Sequence, residues 1–224
     1  MVNDNDIKYI SQVFTFWDEL SESQKSFVLD NIVPVHYHKG ITIHNGDSDC
    51  VGVLLIKKGE LRVYMLSEEG KDITLYRLRD GDICILSASC ILQNITFEVH
   101  IDAETECDAL LLDPGLYKQL CSGNIYAENF SQKLVIDRFS DVMWAMEQIL
   151  FMSFDKRLAI FLSDEITRTK SNHIKMTHEQ IAKYVGSARE VVSRMLKYFA
   201  EEGIVELSRG GVKVIDRKKL KSLI

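Results

Sequence analysis

The chain has 224 residues, of which 46% are hydrophobic, and this is enough apolar material for one large or two modest globular domains. No stretch approaches the roughly 18 consecutive apolar residues of a membrane span, and residues 1–10 lack the basic and then apolar order of a secretion signal. We therefore expect a cytoplasmic protein. The five cysteines are scattered and form no CxxC pair, so we expect reduced thiols rather than a disulfide framework.

The net charge of −6 averages two unlike parts of the chain. Residues 1–153 contain 12 basic and 24 acidic residues, whereas residues 154–224 contain 15 basic and 9 acidic residues. A basic C-terminal third on an acidic body is typical of proteins that bind a polyanion. Because a basic tail can also serve solubility alone, the charge pattern favours nucleic-acid binding only modestly.

The N-terminal half predicts helices followed by β-structure. In residues 1–30, Ser21 can cap a helix with Gln24 as its reciprocal partner. In residues 33–113, short runs alternate with period 2 between turns that contain glycine, and this spacing indicates an antiparallel barrel or sandwich. Three of the turn glycines lie 11 residues apart: Gly59, Gly70 and Gly81.

From about residue 125 the apolar period becomes that of a helix of roughly 25 residues. Five apolar residues are spaced 4, 3, 4 and 3, as in an a/d seam: Val135, Phe139, Val142, Met146 and Ile149. Such a stripe can pack on its own domain, or it can pair with the same helix of a second copy; we favour the homodimer. Residues 154–170 predict a further amphipathic helix.

Residues 177–197 predict two helices joined by a sharp turn. Thr177 with Gln180 fits a capping box, Gly186 fits the turn, and Ser187 with Glu190 fits a second capping box. The outer face near the start of the second helix keeps groups that read base edges, since Arg suits guanine, Glu suits cytosine and Ser suits either: Arg189, Glu190, Ser193 and Arg194. This arrangement is typical of a helix-turn-helix.

A hairpin is predicted after the two helices. The apolar runs 204–207 and 212–215 flank Ser208-Arg209-Gly210-Gly211, which is the pattern of a wing beside the reading helix. An ordinary pair of amphipathic helices with a solvated face would explain the helices without the wing. We therefore predict a DNA-binding surface that consists of Thr177, His178, Ser187, Ala188, Arg189, Glu190, Ser193, Arg194 and Lys197.

The segments 177–182 and 186–197 resemble the helix-turn-helix of the Crp/Fnr family, which comprises the cyclic-AMP receptor proteins and the fumarate-nitrate-reduction regulators. The glycine-punctuated segment 39–82 resembles the family's double-stranded β-helix, and 125–153 resembles its dimer helix. The resemblance implies an α+β chain with three parts. They are a cyclic-nucleotide-binding-like jelly roll (1–124), a dimerisation helix with a hinge (125–153) and a winged helix-turn-helix (154–224).

The resemblance also implies roles for the reading residues. The residue that matches Glu190 contacts cytosine, and the one that matches Arg194 contacts guanine in a TGA-containing half-site. Arg189 matches a guanine or phosphate contact of the cyclic-AMP branch, whereas Ser193 matches the fumarate-nitrate-reduction branch. Because one carboxylate cannot cap a helix and reach a base at the same time, we expect Glu190 to contact the base when DNA is bound.

The sensor segment departs from both branches of the family. Ile85-Leu86 stands where cyclic-AMP binders carry Gly-Glu, and residues 94–98 contain no Arg for the cyclic phosphate, which argues against cyclic AMP. Residues 1–49 contain no cysteine for an iron–sulfur cluster of the oxygen-sensing type. The effector stays open between haem, an iron–sulfur cluster and another small molecule, with candidate residues Cys84, Ile85, Leu86, Ser87, Ser89 and Cys90. Cys84 and Cys90 could share a redox or metal role, or could be small buried hydrophobes.

His36 and His38 are candidates for metal ligands. Residues i and i+2 of a strand share a face, so both imidazoles could point at one ion. No carboxylate follows at ordinary ligand spacing, and His44 belongs to the next turn. We therefore predict no metal site and keep the pair as a candidate.

The leading hypothesis is a homodimeric transcription factor that is not an enzyme and has RNA polymerase as an expected partner. It would bind a palindromic operator with half-sites about one helical turn (~34 Å) apart, under an effector that shifts a hinge near Met152-Ser153. Two alternatives stay open. One is a metal-dependent, cupin-like β-barrel enzyme, and the other is an effector-binding module that acts by protein contact with a vestigial helix-turn-helix.

Overall fold

The computed structural model describes residues 2–46, 50–85 and 98–224. The chain is α+β. Its helices are α1 (Asp4–Val13), α2 (Glu22–Asn31), α3 (Pro114–Gly123), α4 (Ile125–Phe151), α5 (Phe154–Thr169), α6 (His178–Val185), α7 (Arg189–Glu201) and α8 (Arg217–Ser222). Its strands are β1 (Ile32–Tyr37), β2 (Thr42–Asn45), β3 (Val53–Lys58), β4 (Leu61–Leu66), β5 (Asp72–Leu78), β6 (Ile83–Cys84), β7 (His100–Ala103), β8 (Cys107–Leu112), β9 (His173–Ile174), β10 (Val205–Ser208) and β11 (Gly211–Val214).

The contacts divide the chain into two compact units. The first contains residues 1–66 and 75–142, and the second contains residues 67–74 and 143–224. None of the helices in the described ranges combines the length and the apolar character needed to cross a membrane.

The first unit contains two four-stranded sheets in the orders β1-β8-β3-β6 and β2-β7-β4-β5. The strand β3 shows how both faces of one sheet are covered, because successive side chains of a strand point in opposite directions. Val53 and Leu55 enter a core shared with α1 and α3, whereas Leu54 and Ile56 enter a second core shared with β4, β5 and β7. This confirms the predicted antiparallel β-structure and explains why β3 is apolar at consecutive positions.

A local capping signal marks the start of α2, as the sequence predicts. Ser21 and Gln24 form the predicted capping box at the start of α2. The side-chain amide of Gln24 also donates to the carbonyl of Gly123 at the end of α3 (3.2 Å). The capping residue therefore contacts a part of the same unit that is distant in sequence.

The turn glycines differ in how tightly the chain surrounds them. Gly59 and Gly81 both have positive φ, of 111° and 90°. A Cβ on Gly59 would lie 2.5 Å from the carbonyl oxygen of Glu106 and 2.8 Å from the Cα of Cys107. A Cβ on Gly81 would meet no atom of the described residues within 4 Å. Gly59 is therefore required for the close approach of two backbones as well as for its φ.

Helix α4 has 27 residues, as the apolar period predicts, but its exposed stripe is not the predicted seam. Val135 and Val142 pack against the cores of the first unit, while Ile149 lies beside Gly186. The exposed apolar residues are spaced 3, 4, 3 and 4: Ile136, Phe139, Met143, Met146 and Leu150, with exposed fractions from 45% to 65%. The predicted seam therefore mixed two faces, because the apolar stripe is wider than an a/d pair and the sequence does not say which edge is covered.

The second unit is built around one core that helices α5 to α8 and the sheet β10-β11-β9 share. The tip of the β4–β5 connection, residues 67–74, also belongs to this unit. There the hydroxyl of Thr74 donates to the carbonyl of Lys183 in α6 (2.9 Å), and the ammonium of Lys183 lies 3.8 Å from the carboxylate of Asp72.

Candidate DNA-reading surface

The first helix of the predicted pair begins and ends as the sequence indicates. Thr177 accepts from the amide of Gln180 (3.2 Å), and the side chain of Gln180 accepts from the amide of Thr177 (2.8 Å), which confirms the capping box. Helix α6 ends at Val185, and its C-cap Gly186 has a left-handed φ of 59°. Glycine is favoured there because any Cβ would be strained.

The second predicted capping box is wrong. The N-cap of α7 is Ala188, and no side-chain hydrogen bond caps it. The amide of Ser187 donates back to the carbonyl of Ala182 (3.0 Å), so Ser187 belongs to the turn and α7 begins only at Arg189. Because the turn is longer than the capping pattern assumed, the carboxylate of Glu190 is not used as a cap, and the conflict between capping and base contact does not arise.

The outer face at the start of α7 carries charged side chains that have no partner within the described ranges. Arg189, Glu190 and Arg194 are exposed, and their side chains make no hydrogen bond or ion pair with any residue that the structure describes. Lys197 is exposed one turn further along. The opposite face of α7 packs into the core of the second unit through three residues of zero exposure: Val192, Leu196 and Phe199.

Ser193 is positioned by the helix before it. Its hydroxyl donates to the carbonyl of Arg189 (2.9 Å), so the 2.8 Å contact with His178 has the Nδ1–H of the imidazole as the donor. Burial, and then the nearby charge of Arg189, lower the pKa of His178 below its usual value, which favours this neutral imidazole. The contact joins the first turn of α6 to α7 across 15 residues, and no spacing in the sequence indicates it.

A pocket of about 330 Å³ lies between the wing and the helix pair. The hairpin of β10 and β11 pairs Ser208 with Gly211, so Arg209 and Gly210 form its tip. The pocket is lined by Thr177, His178 and Arg189 on one side and by Ser208, Gly210 and Gly211 on the other. Three of the predicted DNA-contacting residues therefore lie beside the predicted wing.

The predicted effector residues are described only in part. Cys84 and Ile85 are buried, with exposures of 0% and 1%, and Cys84 is a free thiol in the core between the sheets. Leu86, Ser87, Ser89 and Cys90 lie outside the described residues, as do residues 94–97 of the region compared with the cyclic-nucleotide cassette.

The prediction of reduced thiols is correct for three of the described cysteines and wrong for Cys50. Cys84, Cys107 and Cys121 are free. Burial raises the pKa of the Cys107 thiol to about 11, which disfavours a reactive thiolate. Cys50 is disulfide-bonded, and the sequence could not indicate this because a disulfide depends on proximity in space and not on a CxxC spacing.

Sequence reasoning missed a buried cation in the first unit. Arg62 in β4 is 1% exposed, and its guanidinium lies 4.4 Å from the centre of the Tyr64 ring. The alternation in Leu61-Arg62-Val63-Tyr64 could have indicated it, because Leu61 and Val63 enter the core between the sheets and Arg62 points the other way.

The two candidate metal-ligating histidines meet carboxylates that follow about 70 residues later. His36 contacts Asp108 and Glu106, and His38 contacts Glu106. Hydrogen bonds to Asp108 and then Glu106 raise the pKa of His36. The amide of Lys39, followed by the two imidazoles, lowers the pKa of Glu106 to about 2.

The fold and this surface define a DNA-binding regulator with a winged helix-turn-helix, and comparisons with known proteins agree. The family model for the Crp-like helix-turn-helix domain matches residues 156–223. A solved Crp/Fnr-family protein from Eubacterium rectale is 48% identical, with a TM-score of 0.91, over 94% of this chain and 98% of that chain.

Curated relatives have similar descriptions. Transcriptional regulator SdrP of Thermus thermophilus is 28% identical over 176 residues, which cover 75% of this chain and 81% of that protein. The cAMP-activated global transcriptional regulator CRP of Haemophilus influenzae is 24% identical over 212 residues, which cover 90% of this chain and 93% of that protein. The chain belongs to the Crp/Fnr family, a family of transcriptional regulators and not of enzymes.

Proposed function

We propose that this chain is a homodimeric transcription factor that reads the half-sites of a palindromic operator through α7. The observation that carries the proposal is the exposed start of α7, where Arg189, Glu190 and Arg194 have no hydrogen-bond or ion-pair partner in the described part of the chain. Such groups gain most from an external partner that supplies both acceptors and donors, as the edges of base pairs in the major groove do.

The proposed roles follow from chemistry and from the family pattern. Arg194 donates to guanine, Glu190 accepts from the amino group of cytosine, and Arg189 contacts guanine or phosphate. Ser193 is a further base contact. To reach the base, its hydroxyl would give up the hydrogen bond that it accepts from His178. The remaining surface residues contact phosphate or sugar, which sets the position of the helix but carries no sequence information: Thr177, His178, Ser187, Ala188 and Lys197.

The exposed stripe of α4 supports the homodimer. Phe139 is 65% exposed, Leu150 is 64% exposed, and they belong to one row with Ile136, Met143 and Met146. The same row on a second copy is apolar and has the same 3-and-4 spacing, as a parallel coiled coil requires. A two-fold dimer presents two α7 helices, which fits half-sites about one helical turn apart.

The proposed switch is the short connection between α4 and α5. Helix α4 ends at Phe151, and α5 begins at Phe154 after the N-cap Ser153, so the predicted hinge at Met152-Ser153 is the break between two helices. We propose that an effector other than cyclic AMP changes the populations of two arrangements about this break. In this scheme the regulator works in the cytoplasm with RNA polymerase as its partner.

The test is selection of bound duplexes from a random DNA pool by the full chain at stated salt, followed by sequencing. We expect a palindrome with TGA-containing half-sites, and we expect Arg194→Ala to lose the preference for guanine. An identical motif from Arg194→Ala, or no motif from the natural chain, would contradict the assigned reading role. Addition of cyclic AMP is expected to leave the affinity unchanged.

A further inference from the structure

The pairing of β1 with β8 brings four potential metal-binding side chains to one face. His36 is directly opposite Asp108, and Tyr37 is opposite Cys107. Because side chains alternate along a strand, the two positions on either side of the Tyr37–Cys107 pair share the other face. Cys107 and Tyr37 pack into the core between the sheets, so His36 and Asp108 point away from that core, and both are exposed.

His38 and Glu106 extend this face just beyond the paired residues. The Nδ1 of His38 lies 3.0 Å from Oε2 of Glu106, and the Nε2 of His36 lies 3.0 Å from the same oxygen. The potential ligand atoms of these three residues all lie within 4.8 Å of one another. A tetrahedral zinc ion with bonds of about 2.0–2.2 Å spaces its ligands by about 3.3 Å, so small movements of the side chains would admit an ion.

Two further contacts fix the orientation of these side chains. The Nδ1–H of His36 donates to Oδ1 of Asp108 (2.7 Å), which leaves the Nε2 of the imidazole directed at Glu106. The backbone amide of Lys39 donates to Oε1 of Glu106 (3.0 Å), which leaves Oε2 directed at the imidazoles. A carboxylate behind a ligating histidine is the common outer partner in zinc sites, where it fixes the tautomer and the direction of the ring.

We propose that His36, His38 and Glu106 bind a divalent transition-metal ion of the zinc type, and that Asp108 positions His36. Two imidazoles and one carboxylate suit such an ion, whereas calcium and magnesium prefer sites made of oxygen ligands alone. Three protein ligands leave a fourth position for water or for another ligand. The site is complete within one chain and does not depend on the DNA-binding role.

The experiment measures zinc binding to the full-length chain after removal of metal with a chelator, by isothermal titration calorimetry. We expect one ion per chain. We expect a complete loss of this binding in the double variant His36→Ala/His38→Ala. Asp108→Asn keeps the shape of the side chain and is expected to weaken binding by about 10- to 100-fold, the usual effect of removing an outer partner.

The matched control is His173→Ala, which removes an exposed imidazole from the second unit and is expected to leave zinc binding unchanged. Loaded Co²⁺ is expected to give the visible bands of a low-coordinate nitrogen and oxygen site without a thiolate charge-transfer band, which distinguishes this site from the cysteines. Zinc is also expected to raise the melting temperature of the natural chain but not of Glu106→Gln, provided that both have the same circular-dichroism spectrum without metal.

The proposal is overturned if the natural chain takes up no stoichiometric ion. It is also overturned if binding survives in the His36→Ala/His38→Ala double variant or falls equally in His173→Ala, because the ion would then lie elsewhere. Both results are independent of DNA affinity, so the metal site and the DNA-reading role can fail separately.

Discussion

The candidate DNA-reading surface of α7 differs from the imidazole–carboxylate cluster in how its charged groups are partnered. This cluster consists of His36, His38, Glu106 and Asp108, where β1 pairs with β8. Arg189, Glu190 and Arg194 stand without partners in the described part of the chain, whereas His36 and Glu106 contact each other. Unpartnered charges on a rigid helix are suited to a partner that supplies the missing acceptors and donors. Imidazoles and a carboxylate that already contact one another are suited to a cation that takes the place of the shared protons. Exposure alone therefore does not define a site, because a ligand must compete with the partners that each side chain already has within the chain.

A substitution in the exposed stripe of α4 should have the strongest consequence, because operator binding is proposed to need a second chain and zinc binding is not. Phe139→Glu places a carboxylate in the exposed stripe of α4, which is 65% exposed at this residue. Burial of one phenylalanine side chain contributes about 1.5–3 kcal/mol, and a dimer loses two of them. We expect dissociation into monomers in sedimentation velocity and a loss of operator binding, while zinc binding stays.

The control for this change is Ile41→Glu. It makes a similar apolar-to-acidic change at a residue that is 48% exposed and lies outside α4. The Ile41→Glu protein should sediment as the natural chain does. If Phe139→Glu still sediments as a dimer, the stripe is not the dimer contact.

The next effect concerns the backbone beneath the imidazole–carboxylate cluster. In Gly59→Ala the new Cβ would lie 2.5 Å from the carbonyl oxygen of Glu106, and φ at this residue is 111°. Strain of φ costs about 1–2 kcal/mol and overpacking adds about 1–3 kcal/mol. Urea unfolding is expected to show a loss of about 2–5 kcal/mol, together with weaker zinc binding because Glu106 must shift.

Gly81→Ala is the matched variant for this prediction, since Gly81 also has positive φ but its Cβ position has no described atom within 4 Å. Only the strain of φ applies there, so the loss should be about 1–2 kcal/mol. Equal losses in Gly59→Ala and Gly81→Ala would show that the close approach to β8 has no energetic weight.

A smaller effect is expected from the reading surface itself. Arg194→Ala removes an exposed side chain and should cost about 1–3 kcal/mol on the specific operator, which is about 5- to 150-fold in affinity. Because the side chain has no partner within the described residues, the melting temperature should stay the same. Fluorescence anisotropy at fixed salt measures the affinity, and Lys118→Ala in α3 is the control for loss of one positive charge. An equal loss in both variants would mean that only net charge matters.

The smallest effect is a change in proton binding at His178. Burial, with a smaller contribution from Arg189, lowers the pKa of His178 below its usual value near 6.5. The unfolded chain therefore takes up this proton more readily, and folding stability is expected to fall as the pH drops below about 6.5. In Arg189→Ala, an NMR titration of the imidazole should show a higher pKa that still lies below 6.5, because burial remains. An unchanged pKa of His178 in this variant would show that the charge of Arg189 does not lower it.

The helices could be predicted where their signals are local. The capping box of Thr177 and the left-handed turn at Gly186 depend on residues within a few positions, and both are confirmed. The second box failed because Ser187, although it has the right side chain, is used by the turn through its backbone amide. A side-chain pattern cannot report how many residues a turn consumes, since that depends on how two helices pack.

Sequence alone predicts the helical and β-strand periods, the basic C-terminal third and the residue types that face outward on α7. These follow from neighbours a few positions apart, for which the geometry of a helix or strand is enough. Sequence alone does not predict which edge of the apolar stripe on α4 is exposed or which carboxylates meet His36 and His38, because both depend on the three-dimensional packing of the chain. Glu106 follows those histidines by about 70 residues, and only the hydrogen-bonded register of β1 with β8 brings the side chains within 3.0 Å.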